Sequence, residues 1–188
     1  MAPIFLPVPI RGVFLSTNNG ASWAPVRNGL TDTLVSSLVI SGFDIYAGTS
    51  NGVAFLSSNN GGNWVAINNG ALPGNAHIYS LAASGSSIYA AANSIYVTKN
   101  NGGSWTKLNG GPPVPATSVL VVDSTIYVGT YTQGIYVSTN NGASWAAANN
   151  GINGVYVKNF GYNGSEVLAS VASNVYNHQP GQQLDRPY

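Results

Sequence analysis

The sequence predicts an all-β propeller, and three observations carry that reading. An eight-residue phrase, STNNGASW at 16–23, returns as SSNNGGNW at 57–64, TKNNGGSW at 98–105 and STNNGASW at 138–145. The four tryptophans of the chain, Trp23, Trp64, Trp105 and Trp145, close these phrases at spacings of 41, 41 and 40 residues. Short apolar runs lie between them, separated by Asn-Gly pairs, of which the chain has eleven. A repeat of about 41 residues built from short strands and tight turns is the pattern of a propeller blade. A helix through any unit would cross several of these turn pairs, which excludes a helical repeat.

Each complete unit divides into four antiparallel strands. In the second, residues 34–40 form the first strand, 44–48 the second, 53–57 the third and 63–67 the fourth. The junctions are Ser-Gly or Asn-Gly, residues that accept the positive φ of a tight hairpin. The third unit repeats the order at 78–81, 88–90, 95–97 and 105–108, and the fourth at 118–122, 125–128, 134–137 and 145–147. Ile-Tyr pairs recur in the second and third strands. Successive side chains point to opposite faces, so a blade covered on both sides by neighbours accepts apolar residues on both.

The terminal units are incomplete. Residues 4–16 align without a gap on 126–138, so the first unit begins at its second strand. At the other end 154–158 reads as a first strand, 166–169 as a second and 174–176 as a weak third, after which the phrase has decayed. The propeller domain is expected over 1–176, with units near 1–30, 31–74, 75–114, 115–152 and 153–176 and a tail at 177–188. Two closures fit. Five units stand separately, or the C-terminal strands complete the N-terminal unit to give four; five is the count adopted. A larger ring, completed by another copy or by further sequence, is the third arrangement.

Within the repeated phrase, Asn18 suits a turn in which a side-chain amide bonds its own backbone. Gly20 supplies conformational freedom, and Trp23 an indole large enough to bury between blades. Asn59, Gly61 and Trp64 repeat these roles, as do Asn100, Gly102 and Trp105, then Asn140, Gly142 and Trp145. The expectation is twelve structural residues, not a ligand site. The phrase resembles the Asp-box, or BNR repeat, of form Ser/Thr-x-Asp-x-Gly-x-Thr/Ser-Trp, with asparagine in the aspartate place and Asn63 replacing the hydroxyl residue in the second copy. That resemblance implies a propeller of the sialidase-like superfamily. It implies no single function, since such propellers include sialidases, other glycoside hydrolases, sorting-receptor ectodomains, photosystem assembly factors and lectins.

Composition narrows the partners. Only 6% of residues are charged and the formal net charge is +1, with six scattered Lys and Arg. Nucleic acid needs a clustered basic surface and is not expected. Cysteine is absent, which removes disulfides and thiolate chemistry. No apolar run reaches membrane-spanning length. The apolar N-terminus lacks a positive start and is broken by proline, so it is a poor signal peptide; the neutral polar composition nonetheless favours an extracellular setting.

An enzyme is not expected. The family's sialidases hold the substrate carboxylate with three arginines, yet Arg11, Arg27 and Arg186 do not occupy equivalent blade positions. Glycoside hydrolysis ordinarily needs two carboxylates at a fixed separation. Asp44, Asp123 and Glu166 instead fall at the same turn of successive repeats, where solvated acids are ordinary. His77 and His178 have no acid at ligand spacing, so neither a metal nor another cofactor is expected. A binding module remains. Tyr79, Tyr131, Tyr156 and Tyr162 lie in or near turns and first strands, and aromatic faces beside amides suit neutral sugars. The expected function is a non-catalytic, lectin-like module for neutral glycans. The rivals are a self-assembling scaffold, whose partner is another copy met through the terminal blades, and a remnant of a propeller hydrolase.

Overall fold

The computed structural model describes residues 11–152 and 154–173, and their secondary structure is sixteen β-strands. The first sheet pairs β1 (Phe14–Leu15) with β2 (Ala24–Pro25). The second runs in the order β3 (Val35–Ser41), β4 (Asp44–Thr49), β5 (Ala54–Ser57) and β6 (Val65–Ala66). The third holds β7 (Ser80–Ser84), β8 (Ser87–Ala91), β9 (Ile95–Thr98) and β10 (Thr106–Lys107). The fourth holds β11 (Ala116–Val122), β12 (Thr125–Thr130), β13 (Ile135–Ser138) and β14 (Ala146–Ala147). The last pairs β15 (Val155–Tyr162) with β16 (Val167–Ser173).

Three complete four-stranded antiparallel blades are thus flanked by two half-blades. This is the propeller that the repeat predicts, with five sheets among the described residues. β1 and β2 occupy the third and fourth strand positions, and β15 and β16 the first and second. The expected second strand of the first unit, at 4–6 by its alignment on 126–128, and the third strand expected at 174–176 lie outside the described residues, as does the tail. The first strand of the third blade begins at Ser80, two residues later than expected, and the fourth strands shrink to two exposed residues each.

The core lies between blades. Tyr46, Ile67 and Trp105 pack with Ile78, Leu81 and Ile88 between the second and third blades. Ala82 and Tyr89 meet Val119 and Ile126 between the third and fourth. Val13 and Leu30 meet Phe55 and Trp64 between the first and second. The second and third blades are therefore apolar on both faces, as the Ile-Tyr pairs require. The glycine in the second strand lets blades approach: a Cβ on Gly48 would stand 2.5 Å from Ile78 Cγ2, and one on Gly129 would stand 2.6 Å from Val157 Cβ.

Candidate functional site

The repeated phrase builds one hydrogen-bonded turn four times. In its third copy Thr98 Oγ1 donates to Asn100 Oδ1 at 2.9 Å and accepts from the Gly102 N–H at 2.9 Å. Asn100 Oδ1 also accepts from the Ser104 N–H at 2.9 Å, while Asn100 Nδ2 donates to Ser104 Oγ at 3.1 Å. Asn18 and Asn140 make the same bonds to Ser22 and Ser144. Asn59 Oδ1 accepts from the Asn63 N–H at 2.8 Å. The amide satisfies the turn's own donors and is spent there. Two consecutive residues have positive φ, Asn101 at 54° and Gly102 at 82°, and the other copies repeat this pair. Asn-Gly junctions accept positive φ in general, but within the box the sequence reading assigns that freedom to the glycine alone, and the asparagine before it shares it.

The indoles hold neighbouring blades together. Trp64 Nε1 donates to the Val26 carbonyl at 2.8 Å and Trp105 Nε1 to the Ile67 carbonyl at 2.6 Å. Their backbone N–H groups donate to Asn28 and Asn69 of the preceding blade, at 2.8 and 2.9 Å. Trp145 is half-buried, and its Nε1 makes no hydrogen bond although it lies beside the Gly110–Gly111 turn. Trp23 corrects the expectation of four equivalent anchors. It is 63% exposed, because no described strand precedes the first half-blade to receive it.

The four candidate tyrosines divide. Tyr79 immediately precedes β7, Tyr131 follows β12 and Tyr156 stands near the start of β15, so all three reach one rim of the propeller. Tyr79 and Tyr131 line a hollow of about 350 Å³ with Val114, Pro115, Thr117 and Thr132, spanning the third and fourth blades. The Tyr131 and Tyr156 ring centroids are 5.1 Å apart and tilted by 48°, and His77 stacks on Tyr79 at 4.1 Å. Burial pushes the His77 imidazole below its ordinary value, which keeps it neutral at pH 7. From its place before an Ile-Tyr strand His77 reads as a turn residue or an interblade hydrogen-bonding group; its stack follows from period-two alternation, which puts it on the same side of the chain as Tyr79. Val114 and Pro115 carried no sequence signal. Tyr162 ends β15 and so stands at the other rim, apart from the cluster.

That other rim carries the repeated turns and the carboxylates Asp44, Asp123 and Glu166, whereas Asp32 precedes β3 on the rim of the tyrosines, where its Oδ1 accepts from the Leu34 N–H at 3.0 Å. Asp123 precedes β12 and Tyr131 follows it; six strand residues separate the two by about 20 Å. Each acid there has a local task. Asp44 Oδ2 accepts from Asn101 Nδ2 at 3.3 Å, and Asn101 Oδ1 accepts from the Tyr46 hydroxyl at 3.1 Å, which links two blades. Burial first, and then the Asp44 charge, raise the Tyr46 phenol above its ordinary value. Asp123 holds a positive φ of 53° in its hairpin. Glu166 closes a turn with Asn163, whose Oδ1 accepts from the Glu166 N–H at 2.8 Å. Among the described residues no three His, Asp or Glu side chains gather into a group suited to a metal ion, and no helix is long and apolar enough to cross a membrane. A second hollow of about 300 Å³ beside the third box turn is lined by Val97, Lys99, Asn100, Ser104, Thr106 and Leu108 and offers no aromatic face.

Stacked blades with structural turns on one rim and an aromatic hollow on the other define a repeat propeller domain. The chain belongs to the family of the DUF6242 beta propeller domain, whose model matches residues 45–175, more than half of its length. Solved structures share the fold at low identity. The computationally designed Ika4 protein is 11% identical over 73% of this chain and 84% of its own, with a TM-score of 0.59. The GH74 xyloglucanase from Xanthomonas campestris is 16% identical over 80% of this chain, with a TM-score of 0.63. YCF48 bound to D1 peptide is 14% identical over 65% of this chain, with a TM-score of 0.56. The chain spans 29% of that xyloglucanase and 43% of that YCF48 chain. A comparison with curated proteins finds no match.

Proposed function

We propose that this domain is a non-catalytic module that binds a neutral glycan at the hollow between the third and fourth blades. The observation that supports the reading is the meeting of Tyr79, Tyr131 and Tyr156 at one rim, with His77 neutral beside them and no charged side chain lining the hollow. Sugar rings offer C–H faces that pack on aromatic planes, and Thr132 adds a hydroxyl for orientation. Asp44, Asp123 and Glu166 stand on the opposite rim and Asp32 alone on this one, so among the described residues no carboxylate pair flanks a glycan bound in the hollow.

The test is a glycan array followed by titration calorimetry, with β-glucan and xyloglucan oligosaccharides as first probes. Tyr131→Ala is expected to weaken binding about tenfold, equivalent to about 1.4 kcal/mol, and Tyr162→Ala to leave it unchanged. Equal losses from both variants would sink the assignment of the rim. The rival is a protein-contact module, supported by the YCF48 relative, which binds a peptide. Peptide binding lost in Tyr131→Ala, with no glycan bound, replaces the glycan reading with that one. Turnover of a glycan that is abolished by Asp44→Asn or Glu166→Gln overturns the non-catalytic reading.

A further inference from the structure

The two half-blades are complementary in strand content and in exposed surface. Among the described residues β1–β2 are a third and fourth strand and β15–β16 a first and second, which together have the strands of one blade. The exposed apolar residues lie where the missing halves belong. Leu38 pairs with Ala47 in register, as Leu81 pairs with Ala90 and Val119 with Val128. Leu81 and Val119 are buried by the preceding blade, whereas Leu38 is 49% exposed and Ile40 is 65% exposed. Leu168 occupies the second-strand position that Tyr46 and Tyr89 fill in the second and third blades. Those tyrosines are buried against the following blade, whereas Leu168 is 57% exposed.

The inner contacts identify the occupant. Between the second and third blades Tyr46 of one blade packs with Leu81 and Ile88 of the next. The counterpart of Leu168 is therefore a first-strand face of the Leu38 and Ile40 kind, and the counterpart of that face is a second strand of the Leu168 kind. Within one chain both faces stand open at once, and β1 and β16 lie in separate sheets. None of Leu38, Ile40 and Leu168 is charged, and the composition opposes association weakly.

We propose that two copies of this chain pair head to tail about a two-fold axis. β15–β16 of each copy joins β1–β2 of the other in a complete blade, with Leu168 seated over Leu38 and Ile40 of the other copy. The arrangement closes after two copies, leaves no half-blade among the described residues and covers both faces.

Because the chain has no cysteine, cross-linking is clean. Light scattering should give a particle of two chains, twice 19.4 kDa. An oxidised mixture of differently tagged Leu38→Cys and Leu168→Cys variants should give a cross-linked pair holding one of each. Both positions are exposed in the single chain, so folding is checked simply by a circular dichroism spectrum that matches the parent. A wild-type particle of one chain overturns the proposal. So does a double variant, Leu38→Cys with Leu168→Cys, that cross-links within one chain, which would mean that the chain closes on itself. A mass that grows with concentration beyond two chains overturns the closed pair in favour of an open polymer.

Discussion

Replacing Trp105 by alanine is expected to destabilise the fold by about 3–5 kcal/mol, the cost of emptying a large buried aromatic site. The indole is buried between the second and third blades and donates to the Ile67 carbonyl at 2.6 Å. Removal loses packing and leaves that carbonyl without its donor. Stability in a repeat array is a sum of units and the interfaces between them, so the loss should also broaden the unfolding transition as the two blades uncouple. Trp23→Ala is the internal control. Its indole is mostly exposed, and the same truncation there should cost less than about 1 kcal/mol. Urea unfolding of both variants checks this, and equal effects would mean that burial between blades is not what the tryptophan contributes.

Gly102→Ala is the second large effect, expected near 2–5 kcal/mol from backbone strain and overpacking together. Gly102 has φ +82°, a conformation that a Cβ disfavours, and that Cβ would stand 2.5 Å from Ile67 Cβ and Cδ1. The neighbour is a branched side chain fixed by its own blade, so it has little room to withdraw. Gly20→Ala separates the two causes. Its φ is +84°, yet the nearest atom to an added Cβ is Trp23 Cζ2 at 4.0 Å. Only the strain remains there, about 1–3 kcal/mol. If thermal unfolding shows no difference between the two variants, close packing under the turn contributes nothing.

The blades were legible because their signals are local and repeated: a tight turn needs its Asn-Gly wherever it stands, and the strands between turns alternate with period two. What the sequence could not distinguish was an inner copy from an end copy. Trp23 closes the same repeated phrase as Trp105, and only the presence of a preceding blade decides whether the indole is buried. The site was half legible for a related reason. Turn position marks Tyr79, Tyr131 and Tyr156 as reaching out of the sheets, but their meeting depends on how three blades stack. Tyr162 looked equivalent because the length of β15 was underestimated: the strand runs through Tyr162, not to 158, and carries that residue to the far rim.

The box turns also govern how this chain ages. Asn-Gly is the sequence most prone to spontaneous deamidation, because the small glycine lets its backbone nitrogen attack the side-chain amide of the preceding asparagine. In the boxes that nitrogen is already engaged: Gly20 donates to Ser16 Oγ, Gly61 to Ser57 Oγ, Gly102 to Thr98 Oγ1 and Gly142 to Ser138 Oγ, at 2.8–2.9 Å. The attack requires the turn to open, so Asn19, Asn60, Asn101 and Asn141 should gain the one-dalton mark of deamidation only as fast as their blades unfold. Peptide mass spectrometry on stored protein would then record local opening, with the box at Asn19, on an uncovered half-blade, converting before the box at Asn101.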